Sequence, residues 1–197
     1  MVIEVREDSA AALAEYARVP IAFEVGEIFD VAVRDRGLGG FVLTRRRLDV
    51  PYVKDYDAGE GESPEYWAKR FDVSNWEFLA AHAGGVRVGG AALTFDAAGI
   101  HMLEGRDDLA VLWDIRVAPE ARGRGVGSSL FRAAEARAAA RGFRQLKIET
   151  QNINVPACRF YARQGCELGT INRFAYPRFP NEVQMLWYKE LARGAAN

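Results

Sequence analysis

The run Arg122-Gly123-Arg124-Gly125-Val126-Gly127 links a hydrophobic stretch ending at Val117 to an alanine-rich stretch of helical character. Glycines at this spacing let the backbone approach a ligand closely, and a helix start offers unpaired N–H groups and a partial positive charge to an anion. Arg122 and Arg124 add mobile positive charge, so a pyrophosphate is the natural guest. The GxxxxGK(S/T) pattern of a P-loop is missing, and Ser128 stands where GxGxxG needs its third glycine. Nucleotide hydrolysis and dinucleotide binding therefore fit poorly. The other reading of the motif is a glycine turn that merely joins strand to helix.

Two carboxylates are the other candidates for chemistry. Asp114 and Glu149 each lie inside a run that reads as a buried strand, Leu112 to Val117 and Gln145 to Thr150, where an unpaired carboxylate is expensive. Each must then do work or have a partner, and for Asp114 the available partner is Arg116 on the same strand face.

The elements that would position these groups follow from patterning. A short strand (Val2 to Val5) precedes a helical stretch from Ser9 to Ala17, which Pro20 closes. Ile21 to Leu48 reads as extra extended segments around Gly37, Gly39 and Gly40, able to form a hairpin. Asp49 to Glu62, with Pro51, Gly59 and Gly61 among Asp55, Asp57, Glu60 and Glu62, reads as an acidic loop, and a short helix follows over Ser63 to Phe71. Two strand-like runs flank Gly84-Gly85, as in an antiparallel hairpin. From Leu109 the pattern alternates: strand to Val117, helix from about Gly125 to Arg141, strand Gln145 to Thr150, helix Asn154 to Gln164. Strands near Cys166 to Phe174 and Glu182 to Tyr188 complete a mixed α/β sheet, and the tail 193–197 is expected to fray.

With 197 residues, 49% of them hydrophobic, the chain can bury one sizeable core, and a single domain over 1–197 is expected. A formal net charge of -1 gives no global basic field for nucleic acid, and Arg45-Arg46-Arg47 reads as a solvated strand end. No window approaches the roughly 18 uninterrupted apolar residues of a membrane helix, and the start has no secretory pattern, so a cytoplasmic protein is expected. Cys158 and Cys166 form no CxxC, and with only His82 and His101 there is no zinc constellation. Cys158 is expected to pack on its helix and Cys166 to enter a strand.

The R-x-x-G-x-G pattern at Arg122 to Gly127, after Ile115-Arg116-Val117, resembles the acetyl-CoA motif of the GNAT N-acyltransferase superfamily. Asn154-Val-Pro-Ala157-Cys-Arg-Phe160-Tyr161 resembles the N-x-x-A-x-x-F-Y helix of the same superfamily. Within it, LWDIRVAPEARGRGVG, IETQNINVPACRFYARQG, NEVQMLWYKEL and VPYVKDYD are similar to the streptothricin acetyltransferase group. The likeness covers the latter half well and the first fifty residues loosely. One departure is Cys166, where these enzymes usually carry an aromatic residue.

The resemblance implies a fold and roles. The fold is α/β (α+β), a mixed, mostly antiparallel twisted sheet flanked by helices, splayed between the strand ending at Val117 and the strand ending at Thr150. Freed backbone groups of Ile115 and Val117 would bind the pantetheine arm as an added strand does. Arg122, Gly123, Arg124, Gly125, Val126, Gly127 and Ser128 would hold the pyrophosphate. Asn154 would hydrogen-bond the pantetheine, and Tyr161 would protonate the departing sulfur. An exposed N–H can polarise the thioester carbonyl, so no metal is required.

A lysine-like ammonium with pKa about 10.4 needs roughly 4 to 5 kcal/mol to become neutral at pH 7, so a base is expected. Glu149 matches the base position of ribosomal-protein N-terminal acetyltransferases, while Asp114 lies where small-amine acetyltransferases carry polar groups; the resemblance favours Glu149. The acids of the loop, with Tyr52, Tyr56, Tyr66 and Trp67, form a mixture able to hold a polycation, or else a solvated acidic loop. Asp55, Tyr56, Asp57, Trp113, Asp114 and Glu149 are the candidate substrate contacts. The expected function is direct acetyl transfer from acetyl-CoA, through a ternary complex, to an amine of a cationic small molecule of the streptothricin type. The alternatives are acetylation of a protein N-terminus or lysine, and a module that binds acetyl-CoA without turnover. A homodimer through the final strand around Trp187 is compatible with the sequence.

Overall fold

The computed structural model describes residues 2–95, 97 and 99–191. In chain order the elements are β1 (Glu4–Asp8), α1 (Leu13–Tyr16), β2 (Phe23–Val33), β3 (Phe41–Lys54), α2 (Trp67–Arg70), β4 (Trp76–Ala83), β5 (Val86–Thr94), β6 (Leu109–Val117), α3 (Val126–Ala140), β7 (Gln145–Gln151), α4 (Val155–Arg163), β8 (Glu167–Asn172) and β9 (Gln184–Glu190). Strands are hydrogen-bonded in the order β1-β4-β5-β6-β7-β9-β8, with β2 and β3 paired separately. Only β6 and β7 pair in parallel among the registers described; β1/β4, β4/β5, β5/β6 and β8/β9 are antiparallel. This is the expected mixed, mostly antiparallel sheet with flanking helices.

The chain forms two compact units, one of Met1–Ala22, Asp55–Ile148 and Lys189–Asn197, the other of Phe23–Lys54 and Glu149–Tyr188. In the first, the β4–β5 hairpin turns on Gly84 and Gly85, both at positive φ (57° and 82°), the conformation a two-residue hairpin turn demands. Val126, Leu130, Ala134 and Ala138 recur every fourth residue and are fully buried, giving α3 one apolar face. Gly89 lets that face come close to β5: a Cβ there would sit 2.8 Å from the Arg116 carbonyl oxygen and 3.1 Å from Val126. At Gly90 a Cβ would collide with the Tyr16 ring, so this glycine makes room for α1.

Pairing of β6 with β7 runs from Leu109↔Gln145 to Leu112↔Ile148, while β6 continues to Val117. The expected splay therefore opens after Leu112. The β5/β6 register also shifts between Ala92 and Leu93, so that Ala92 faces Asp114 and Leu93 faces Leu112, with Trp113 as the extra residue of a bulge.

In the second unit β2 and β3 form the hairpin expected from the glycines at 37–40. The acidic loop expected from Asp49 begins instead at Asp55, because β3 runs on through Pro51 to Lys54. Proline is tolerated there because Pro51 falls in the register break of the β2/β3 hairpin, between the Val25↔Tyr52 and Glu27↔Arg47 pairs, where the ladder asks for no donor. The tail 193–197 lies outside the described residues. Among the described residues no helix is long and apolar enough to cross a membrane.

Candidate active site

After β6 the chain makes one short turn at Pro119–Ala121, is extended at Arg122, and passes through Gly123 (φ 73°) and Gly125 (φ 89°) into α3. Both glycines occupy the left-handed region, which costs other residues about 1 to 2 kcal/mol. Gly125 is the N-cap of a fifteen-residue helix and brings no capping side chain, so the backbone N–H groups of Val126 and Gly127 form an uncapped helix start. An anion suits that position. Arg124 is exposed beside it.

Arg122 departs from its expected mobility. Its Nε donates to the Val117 carbonyl (3.0 Å) and its Nη2 to the Ala22 carbonyl (2.9 Å), which pins the guanidinium across the turn. The Val117 backbone is thereby half used. Because Ala118 N–H donates to the Val88 carbonyl (2.9 Å), the antiparallel alternation commits Arg116 and Asp114 to β5 and turns the backbone groups of Ile115 and Val117 to the opposite edge. Ile115 N–H and C=O and Val117 N–H face the side where β7 pairing has stopped; the Val117 carbonyl is held by Arg122.

Asp114 sits in a closed network. Its Oδ1 accepts from Tyr16 OH (2.6 Å) and Arg116 Nε (2.9 Å), and its Oδ2 from Arg116 Nη2 (2.8 Å). Arg116, only 2% exposed, also donates to Asp57 (2.7 and 3.2 Å) and to the Val19 carbonyl (3.2 Å), and lies 5.1 Å from the Tyr16 ring. Burial pushes the Arg116 guanidinium down, but the Asp114 and Asp57 carboxylates outweigh it and hold the group above its ordinary value. Burial, reinforced by Asp114, raises the Tyr16 phenol well above its usual range. Burial also raises the Asp57 carboxyl, against the pull of Arg116. The Asp114–Arg116 pair is thus the partner expected from the sequence, while Tyr16 and Asp57, distant in the chain, were not foreseen. The small Gly90 opposite Arg116 was the available signal.

The loop from Asp55 is correspondingly less free than its composition suggests. Asp57 turns inward to Arg116, Asp55 Oδ1 accepts the Asp57 N–H (2.9 Å), and Glu62 pairs with Arg70 (3.0 Å). Trp67 is buried, Lys69 covers the Tyr66 ring at 4.9 Å, and Tyr56 is half-buried. Asp55 and Glu60 remain at the surface. Trp113 is half-buried against Phe71 and Trp76, both at 5.2 Å between ring centroids. Tyr52 falls in β3, in the second unit.

In that unit Glu149 is half-buried on β7. Its Oε1 accepts from Tyr176 OH (2.5 Å) and its Oε2 from Gln184 Nε2 (2.9 Å), while Gln151 Nε2 donates to the Tyr176 oxygen (2.9 Å). Among the described residues no cation pairs with Glu149. Asn154 is the N-cap of α4, its Oδ1 accepting the Ala157 N–H (3.1 Å), so the asparagine of the second motif also starts its helix. Tyr161 is 6% exposed and packs near Phe160 (5.3 Å) and Trp187 (6.5 Å). Cys158 packs on the helix as expected, 2% exposed, and burial pushes its thiol up to about 11.

Residues 45–166 match the model of the acetyltransferase (GNAT) family. The chain is 35% identical over 170 residues to streptothricin acetyltransferase of Escherichia coli, which covers 84% of each chain. Its fold is similar to the crystal structure of nourseothricin acetyltransferase (TM-score 0.76, 22% identity, 98% of this chain and 100% of that one). A similar match is a Bacillus anthracis protein, provisionally named a streptothricin acetyltransferase and solved in complex with acetyl coenzyme A (TM-score 0.75, 23% identity, 98% and 100%). With the glycine turn, the capped Asn154 helix and the splayed strand in place, the chain belongs to the GNAT family of acetyltransferases.

Proposed function

We propose that this enzyme moves an acetyl group from acetyl-CoA to an amine of a cationic small molecule, with streptothricin-type antibiotics as the first candidates, by direct transfer in a ternary complex. The observation that carries this reading is the 35% identity, over most of both chains, to a relative named for that activity.

The residues suit acetyl-CoA as donor. The uncapped N–H groups that open α3, with Gly123, Gly125, Ser128 and exposed Arg124, would receive the pyrophosphate. Arg122 would shape that turn through Val117 and Ala22 rather than reach for the ligand. Ile115 and the Val117 N–H, turned to the unpaired edge, would hold the pantetheine, with Asn154 adding a side-chain amide. The thioester supplies an activated carbonyl.

Glu149 would take the proton of the attacking ammonium, directly or through water, and Tyr161 would give one to the sulfur. Asp114 has both oxygens engaged and would act by fixing Arg116 and the start of the loop, leaving Asp55, Tyr56 and Trp113 as the remaining candidates for contact with the amine's carrier. Incubation with acetyl-CoA and streptothricin, read by thiol release and by mass, should yield a singly acetylated antibiotic. No mass gain with streptothricin, together with acetylation of N-terminal or lysine peptides, would replace this reading by protein acetylation.

A further inference from the structure

We infer that Tyr176 is the residue that positions Glu149 for proton transfer, with Gln184 holding the second oxygen. The inference rests on the reading of Glu149 as base and adds what makes that carboxylate usable.

The direction of each hydrogen bond is fixed by chemistry. The Gln151 amide N–H can only donate, so it fills an acceptor site on the Tyr176 oxygen (2.9 Å). The single phenolic proton is then directed to Glu149 Oε1, at 2.5 Å. Gln184 Nε2 donates to Oε2 at 2.9 Å. An ionised carboxylate has about four acceptor sites. Two neutral donors orient the group and leave further lone pairs for an incoming proton, without the guanidinium that encloses Asp114.

Tyr176 is delivered by a segment that is itself tied down. Near the end of the connection between β8 and β9, the Glu182 carboxylate pairs with Lys54 (2.7 Å), both side chains being mostly buried. Lys54 also lies 4.3 Å over the Phe179 ring. Buried Asn152 accepts the Val183 N–H (2.8 Å) through its side chain, donates its own backbone N–H to the Val183 carbonyl (3.0 Å), and donates its side-chain amide to the Phe29 carbonyl (3.0 Å). A phenol on a fixed segment, oriented by Gln151, holds Glu149 in one rotamer, and misplacement of a reacting group by about 1 Å can cost on the order of 100-fold in rate.

The test uses Tyr176→Phe, which keeps the ring, with Gln184→Leu as a second variant and Glu149→Gln and Tyr161→Phe as controls. Substrate-free protein should show a downfield proton resonance for the charge-assisted Tyr176–Glu149 bond. It should vanish in Tyr176→Phe and Glu149→Gln and persist in Tyr161→Phe. With acetyl-CoA and streptothricin, Tyr176→Phe should lower kcat by about tenfold or more, leaving KM for acetyl-CoA within about twofold, and Gln184→Leu should do the same more weakly. Survival of the resonance in Tyr176→Phe, or a kcat near wild type in a Tyr176→Phe enzyme whose Glu149→Gln counterpart is inactive, overturns the inference. A Glu149→Gln enzyme with normal kcat removes the base reading instead, and an absence of turnover with streptothricin removes the substrate reading. The proton resonance still decides whether Tyr176 holds Glu149 in both cases.

Discussion

Asp114 on β6 and Glu149 on β7 are both acids within a strand, yet their surroundings differ in kind. Asp114 is enclosed by Arg116 and Tyr16, and Arg116 also pairs with Asp57, so one guanidinium serves two carboxylates and ties α1, β6 and the loop from Asp55 together. Glu149 receives one neutral donor on each oxygen. Burial of a charge must be offset by partners, and the guanidinium beside Asp114 is a stronger partner than the two neutral donors on Glu149. Substitutions around Asp114 should accordingly register in stability, and those around Glu149 in rate.

The largest effect is expected at Arg116. Arg116→Met leaves Asp114 and Asp57 without their cation and should cost about 3 to 5 kcal/mol in urea unfolding. A loss below about 1 kcal/mol would mean that the network is dispensable. Glu149→Gln should leave the unfolding midpoint nearly unchanged while lowering kcat about 100-fold or more, the range of general base catalysis, in steady-state assays. A variant destabilised as strongly as Arg116→Met, with kcat preserved, would erase the contrast between the two regions. Next comes Gly90→Ala, which sets a methyl group against the Tyr16 ring; about 1 to 3 kcal/mol of stability should be lost, as for other overpacked sites. Asn154→Ala should cost about 1 kcal/mol through the lost cap, and a rise in KM for acetyl-CoA beyond that would support its proposed pantetheine contact.

The smallest signal concerns Cys158. With its pKa raised to about 11 by burial, the thiol stays protonated at neutral pH and ionises only as pH climbs toward that value. A disulfide reagent at pH 8 should therefore leave Cys158 untouched in the native enzyme and label it after unfolding. Rapid native labelling would show that this side of α4 is open.

What the sequence disclosed was local. Glycines at 84–85 announced the β4–β5 hairpin, the 122–127 spacing announced the start of α3, and Asn154 to Tyr161 announced α4, because each signal lies inside the element that it shapes. Partnerships across long chain separations stayed hidden: Tyr16 with Asp114, Asp57 with Arg116, and Tyr176 with Glu149 depend on how strands and loops pack, which no spacing encodes. The backbone partners of Arg122 stayed hidden for the same reason, since they include Ala22 from a distant segment. Pro51 suggested a loop, but it falls in the register break of the β2/β3 hairpin, outside the paired ladder.

Acetyl transfer to a cationic amine is tested most directly by mass spectrometry of streptothricin incubated with the enzyme and acetyl-CoA, beside a reaction with Glu149→Gln. The expected result is one acetyl group added by the wild-type enzyme and almost none by the variant. An unmodified antibiotic under conditions where calorimetry shows acetyl-CoA bound, or equal acetylation by both enzymes, would contradict the account.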